Sequence, residues 1–597
     1  MGRTRLTVAG VTAGAVALAL ATTGQAHAEV PGALASFDHL VVIYEENHSF
    51  DNLYGSWAPI AGQPVEGLAQ ASDPEQVDQH GNPLGCLLQL DANLVPSSAT
   101  VTWLDGSQHH GLTSQTCTGT GPTGIAFASH FGQSTPFRIS QYIKPADRTC
   151  APETMQAVNG VQKGDPKGLP GGCTRDLVHR FYQEQYQLDD GLMDRYATGS
   201  DAAGLTMGHY DTAALPIYQY LHAPNHPPYV LADHFFQGAF GGSFLNHQYL
   251  IAARAPQYDP GSAPNPPTGL NSALDVNGFP TDKYPLYAPV PMSRYNDGVL
   301  TAACLLGRPG VNGLPVDITD RACGDYAVNT MQPPWQPAGG GTVLPPINDS
   351  DPTKPIYETN IGDELSRANV SWAWYAGGWD NAAGNVRGRG WTNGHDDKTC
   401  LDDEHAPKAV YPYCADALFQ FHHQPFNYFS NYAPGKPGRA HLKDEEDFSE
   451  ALRTGTLPAV SFLKPDGEEN EHPGYASTEN GESHLIDLLT KIQRSPQAAR
   501  TLVVVSYDEF GGTWDHVAPP GQGNHDGPAD AYGPGTRIPT LLIGGPLGKS
   551  AVDHTSYDTT SVLATIERRW HLAPLGTRDA AVHDLGTAML AGGSRHR

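Results

Sequence analysis

The stretch LVVIYEENHSFDNLYG, residues 40–55, passes from four apolar residues to two carboxylates, an amide and an imidazole with only Tyr44 between. Leu40, Val41, Val42 and Ile43 are mostly β-branched and bounded by polar residues, which is the pattern of a strand buried on both faces inside a parallel sheet. In open α/β sheets ligands gather beyond the carboxyl ends of strands, so Glu45, Glu46, Asn47 and His48 stand where sites are built. Taken alone, the stretch also reads as an acidic turn that only ends a strand.

A second stretch repeats the pattern near the other end of the chain. In TLVVVSYDEFGG, residues 501–512, the run Leu502–Val505 ends just before Asp508 and Glu509. It follows a helix signal, Leu485, Leu488, Leu489 and Ile492 after Ser477-Thr478-Glu479, closed by Pro496. A further strand over Ile538–Ile543 and a helix in TTSVLATIERRW continue the alternation. The expected fold is therefore α/β, with a central, mostly parallel sheet and helices on both faces. If the first two strands are neighbours, Glu46, Asn47, Asp508 and Glu509 converge into an oxygen-rich cage for one divalent metal ion of unspecified identity.

Arg3 and Arg5, the apolar run Leu6–Ala21 and the small-x-small site Ala26-His27-Ala28 read as a cleaved signal peptide over 1–28, hence a secreted or periplasmic protein. Residues 29–597 are expected to form one catalytic domain. Its loop-rich insertions lie near 56–175 and 256–345, in keeping with 66 glycines and 50 prolines. The even set Cys86, Cys117, Cys150, Cys173, Cys304, Cys323, Cys400 and Cys414 is expected to pair locally, in that order, as loop staples. With 36 basic and 63 acidic residues the formal charge is −27, which disfavours nucleic acid and anionic lipid as partners. An anionic substrate would need a local cation, and a metal ion supplies one.

Four blocks offer imidazoles: His179 in DLVHRF, His422 and His423 in FHHQPFNYF, His472 in NEHPGY and His516 in TWDHVAPP. A lone histidine is more often structural, but several around a metal are the equipment of phosphoryl transfer. In FGGSFLNHQYL, residues 240–250, Ser243 follows two glycines at a helix start, a candidate N-cap and a candidate nucleophile.

Taken in order, EENHSFDNLYG, DLVHRFYQEQYQLDDGLMDRY, LTMGHYD, FGGSFLNHQYL, NEHP and SYDEFGGTWDHVAPP resemble the signature blocks of the bacterial phosphoesterase family that contains phospholipases C and acid phosphatase A type enzymes. The resemblance implies an alkaline phosphatase-like sandwich, Ser243 as nucleophile, Glu46, Asn47, Asp508 and Glu509 as metal ligands, and His179, His422, His423 and His472 as active-site histidines. Where the phospholipase C branch has a Gly-Pro-Thr-Asn-Pro-Asn-Arg type block, residues 241–247 read Gly-Gly-Ser-Phe-Leu-Asn-His, similar to the acid phosphatase branch. No basic, aromatic-rich amphipathic segment suits lipid docking.

The expected activity is a metal-dependent phosphomonoesterase, an acid phosphatase acting on a small phosphate ester through a phosphoserine. Phospholipase C, which alone would bring membrane contact, is the alternative; a non-catalytic phosphate- or metal-binding secreted protein is a reading of another class. If cationic imidazoles hold the phosphate, activity should fall as pH rises past their pKa values. The cysteine reading has its own check: mass mapping of the unreduced secreted protein should find no alkylatable thiol.

Overall fold

The computed structural model describes residues 32–594, apart from much of 73–133, nearly all of 142–173 and 257–334, all of 341–358 and 392–418, and a few isolated positions. The signal-peptide segment 1–28 and most of the two expected insertions lie outside the described residues. So does the cysteine pairing, since even Cys117 sits in a short strand whose side chains are not described.

Eight strands build the central sheet. In chain order they are β1 His39–Glu45, β2 Tyr229–Ala232, β3 Trp372–Ala376, β4 Leu442–Asp444, β5 Val460–Lys464, β6 Thr501–Tyr507, β7 Thr540–Gly544 and β8 Ala551–Asp553. Their spatial order is β4-β3-β5-β1-β6-β7-β2-β8. Every pairing is parallel except the two made by β7. The mostly parallel α/β sheet read from the sequence is therefore present, with one strand reversed. The reversal has a local cause: residues 508–539 between β6 and β7 form turns and loops rather than a helix, and a parallel return needs a crossover element.

The strands at the centre are continuous apolar runs because both of their faces are dry: Leu40–Ile43 of β1 and Leu502–Val505 of β6 are buried throughout. Alternation along β1 shows the two faces. Tyr44 donates its hydroxyl to the carbonyl of Asn246 (3.4 Å) on the helix Ser243–Ala252. Glu45 points the other way, into the field of Glu482 on the helix Thr478–Arg494. That second helix starts where its sequence says, with Ser477 Oγ accepting from the Asn480 amide (3.1 Å), and buries Leu485, Leu488, Leu489 and Ile492 along one stripe. Among the described residues no helix is long and apolar enough to cross a membrane.

Thr560–Trp570 forms the helix expected near the C-terminus. Its Glu567 and the nearby Asp579 both accept from the Leu575 amide, at 3.2 and 2.6 Å. Burial first, then the Asp579 charge, pushes Glu567 up to about 9. A carboxyl raised in this way contributes stability that is fully present below its unfolded pKa, about 4.5, and is lost as pH climbs towards 9. Thermal melts of Glu567→Gln between about pH 5 and 9 should therefore show a shallower alkaline decline than wild type.

Candidate active site at the carboxyl ends of β1 and β6

β1 and β6 pair in parallel from His39 opposite Thr501 to Glu45 opposite Tyr507. They end level, so Glu46-Asn47 and Asp508-Glu509 leave the sheet side by side. The Asp508 amide donates to Glu45 O (3.0 Å) and the Glu46 amide to Asn470 O (2.9 Å), which fixes both exits. Asn47 turns the chain at φ 59°, a left-handed conformation that a short amide side chain tolerates. All four side chains are buried.

Ser243 is the first residue of its helix, and Gly242, rather than the serine, occupies the capping position. The hydroxyl is thus not spent on the helix end. It donates instead towards Glu46 Oε2 (3.2 Å) and lies 3.5 Å from Glu509 Oε1. The preceding turn is braced from below: Glu184, on the helix Phe181–Leu188, accepts from the Gly241 amide (2.5 Å) and from the Thr536 amide (2.6 Å). Burial pushes Glu184 up to about 7 against these hydrogen bonds. Gly241 adopts φ +85°, and a Cβ there would collide with the backbone of Phe181 and Arg180.

The four histidines surround the serine and carboxylates. His179 Nε2 is 3.4 Å from Glu509 Oε1, while its Nδ1 donates to Leu177 O (2.6 Å) with Asp176 3.4 Å away. His423 Nδ1 is 3.3 Å from Glu46 Oε1, and His422 packs edge-on against His423 at 4.3 Å between centroids. His472 lies 6.0 Å from the His179 ring and commits Nδ1 to Pro473 O (2.6 Å). The nine residues picked from the sequence thus meet at one place. His516 stays apart, bound through Nδ1 to Asp51 (2.5 Å) in a buried network with Arg537 and Asp515. Burial holds His422 at about 3 and keeps His423 and His472 well below the usual histidine range.

Two site residues escaped the sequence reading. Lys464, the last residue of β5, is buried, donates Nζ to Tyr44 O (2.9 Å) and forms an ion pair with Glu46. Its signal was the run VSFLK just before NEHP, a third apolar strand ending in a charge. His247, one turn beyond Ser243, binds Ser243 O through Nδ1 (2.7 Å), approaches Asp508 Oδ2 (3.7 Å) and stacks on His423 at 5.0 Å between ring centroids. Spacing of four along a helix could have found it.

Charge balance makes this donor set a fitting cation cage. Burial, then mutual repulsion with Asp508, drives Glu46 and Glu509 well above the usual carboxylate range, and burial raises Asp508. Both Asp508 carboxylate oxygens and Asn47 Oδ1 are buried without a hydrogen-bond partner. Hard oxygens left unsatisfied in a dry site are what a divalent ion would complete.

The profile of the Phosphoesterase family matches residues 128–573. The chain belongs to this family. Similar curated proteins include Non-specific phospholipase C6 from Arabidopsis thaliana, 28% identical over 22% of this chain and 30% of that one. Phospholipase C B from Mycobacterium tuberculosis is 32% identical over 23% of this chain and 30% of its own length. A probable acid phosphatase from Kluyveromyces lactis is 23% identical over 42% of this chain and 50% of its own. The chain therefore spans a third to a half of the length of these relatives. Gly241→Ala tests the brace under the serine: the left-handed backbone alone should cost about 1–2 kcal/mol. The clash with Phe181 should add to that, so that the variant melts below wild type.

Proposed function

We propose that this member of the Phosphoesterase family is a secreted, metal-dependent phosphomonoesterase that forms a phosphoserine on Ser243. The observation that carries the reading is the placement of Ser243 Oγ at a helix start between Glu46 and Glu509, ringed by His179, His422, His423 and His472. A divalent ion held by Glu46, Asn47, Asp508 and Glu509 would supply positive charge for the phosphoryl oxygens and for ionisation of a nearby hydroxyl.

Ser243 Oγ attacks phosphorus in line, the ester oxygen departs, and water then hydrolyses the phosphoserine to free Ser243. Backbone amides of the first helical turn stabilise the transferring group. The Nδ1–H groups of His179 and His472 are committed to backbone carbonyls, so each can donate to a phosphate oxygen only with a proton at Nε2. For His472, burial opposes that proton in the free site. Phosphate binding should therefore draw protons in and weaken as pH rises, in keeping with an acid phosphatase.

The Gly-Gly-Ser-Phe-Leu-Asn-His block at 241–247 favours the monoesterase. The names of the Arabidopsis and Mycobacterium relatives favour phospholipase C. Ser243→Ala should leave the fold and metal content intact and lower p-nitrophenyl phosphate turnover by at least about a thousandfold. Acid quenching of wild type with labelled substrate should leave phosphate on the Ser243 peptide. Near-normal turnover by the variant would mean that water attacks directly, and faster release of phosphocholine from phosphatidylcholine than of phosphate from monoesters would select phospholipase C.

A further inference from the structure

Among the described residues, three groups of carboxylates and imidazoles lie outside the catalytic site. In the first, Asp51 and Asp515 already hold the Arg537 guanidinium, at 3.1 and 3.0 Å, which offsets their charge. In the second, His484 contacts Glu445 (2.9 Å) through one ring nitrogen and Glu469 (3.3 Å) through the other. Although burial opposes it, the carboxylates raise His484 to about 9, so it is a cation and not a ligand. The third group is Asp233, His234 and His554; here Arg537 donates to the backbone carbonyl of Asp233 (2.8 Å) and leaves its carboxylate to the two histidines.

Asp233 and His234 directly follow β2, and His554 directly follows β8; these strands pair in parallel, with Ala232 opposite Asp553. Both run in the same sense as β6, since each is reached across the reversed β7, so the group lies on the same edge of the sheet as the catalytic residues. Two strand spacings separate β2 from β6, roughly 10 Å.

The Asp233 carboxylate is buried, while His234 and His554 are partly exposed, the His554 side chain by 49%. His234 Nδ1 is 3.1 Å from Asp233 Oδ1, and His554 Nδ1 is 2.9 Å from both carboxylate oxygens. One donor atom from each residue lies within 4.8 Å of the others. Donors about 2.0–2.1 Å from a tetrahedral ion stand roughly 3.3 Å apart, close to these separations.

The two turns are fixed before any ion arrives. The Asp233 amide donates to Asp553 O (3.2 Å) and the Tyr557 amide to His234 O (2.9 Å). The Glu66 amide holds Asp233 Oδ2 (2.7 Å). Asp553 is turned away from the group, its carboxylate accepting from Thr555 Oγ1 (2.9 Å) and the Tyr557 hydroxyl (2.6 Å).

We propose that Asp233, His234 and His554 form a second metal site, for a transition ion such as Zn²⁺, that ties together the ends of β2 and β8. Two imidazoles and one carboxylate select zinc-like ions over Mg²⁺ or Ca²⁺, and the exposure of His554 leaves room for water in the remaining coordination positions. The site is independent of the phosphoserine reading, because it shares no residue with the catalytic cage.

The test is Zn²⁺ content of the full mature chain after equilibrium dialysis against Zn²⁺ alone. His554→Ala and His234→Ala should each hold one ion per chain fewer than wild type, with unchanged circular dichroism. The same loss should appear when His554→Ala is added to Asp508→Asn, which addresses the catalytic cage. Equal Zn²⁺ in wild type and both histidine variants would overturn the site, as would a double variant holding as much as Asp508→Asn alone.

Discussion

The level, parallel pairing of β1 with β6 is the constraint on which the candidate site depends. Glu45 stands opposite Tyr507, so the next residues on each strand, Glu46 and Asp508, emerge as neighbours although 462 positions separate them in the chain. A slip of one residue would turn every side chain of one strand to the opposite face. In an amphipathic strand the exposed apolar face would oppose such a slip. β1 and β6 are apolar on both faces, so the polar ends must hold the register: Tyr44 against Asn246 on one side, Glu45 among carboxylates on the other.

Those polar ends put buried acids on both faces of one strand terminus, and their surroundings give them different chemistry. On the far side, burial raises Glu45 and Glu482 to about 8 and Glu471 well beyond its usual range. The Tyr507 hydroxyl donates to Glu471 (2.9 Å) and the Ile217 amide to Glu482 (2.9 Å), whereas both Glu45 carboxylate oxygens have no hydrogen-bond partner. On the near side, Asp508 and Asn47 likewise keep buried oxygens without donors, next to Glu46 and Glu509. Lys464 stands at the boundary, its ammonium shared between the carbonyl of Tyr44 and the carboxylate of Glu46.

Ser243 depends on a second layer of support. Gly241 and Gly242 let the turn before Ser243 lie against the backbone of residues 179–181, which brings His179 beside Glu509 in the same move. Glu184 ties that turn to Thr536, just before β7. The reversed strand therefore serves the site, since the loop that leads into it carries one of the braces beneath Ser243.

By itself, the sequence determined the elements and the polar residues that meet at the strand ends. Continuous apolar runs marked β1 and β6, spacing of three and four marked the helix over Thr478–Arg494, and the pairs Glu46-Asn47 and Asp508-Glu509 marked the oxygens gathered after the two strands, because these features are written in consecutive residues. Only the tertiary structure decided the direction of β7, the entry of Lys464 into the site and the burial that lowers the pKa values of His422, His423 and His472. It alone brought Asp233 and His234 to His554, some 320 residues further on. Local pattern records what a segment needs to bury; which distant charge lies beside it, and how dry that place is, follows from the order in which the strands are laid into the sheet.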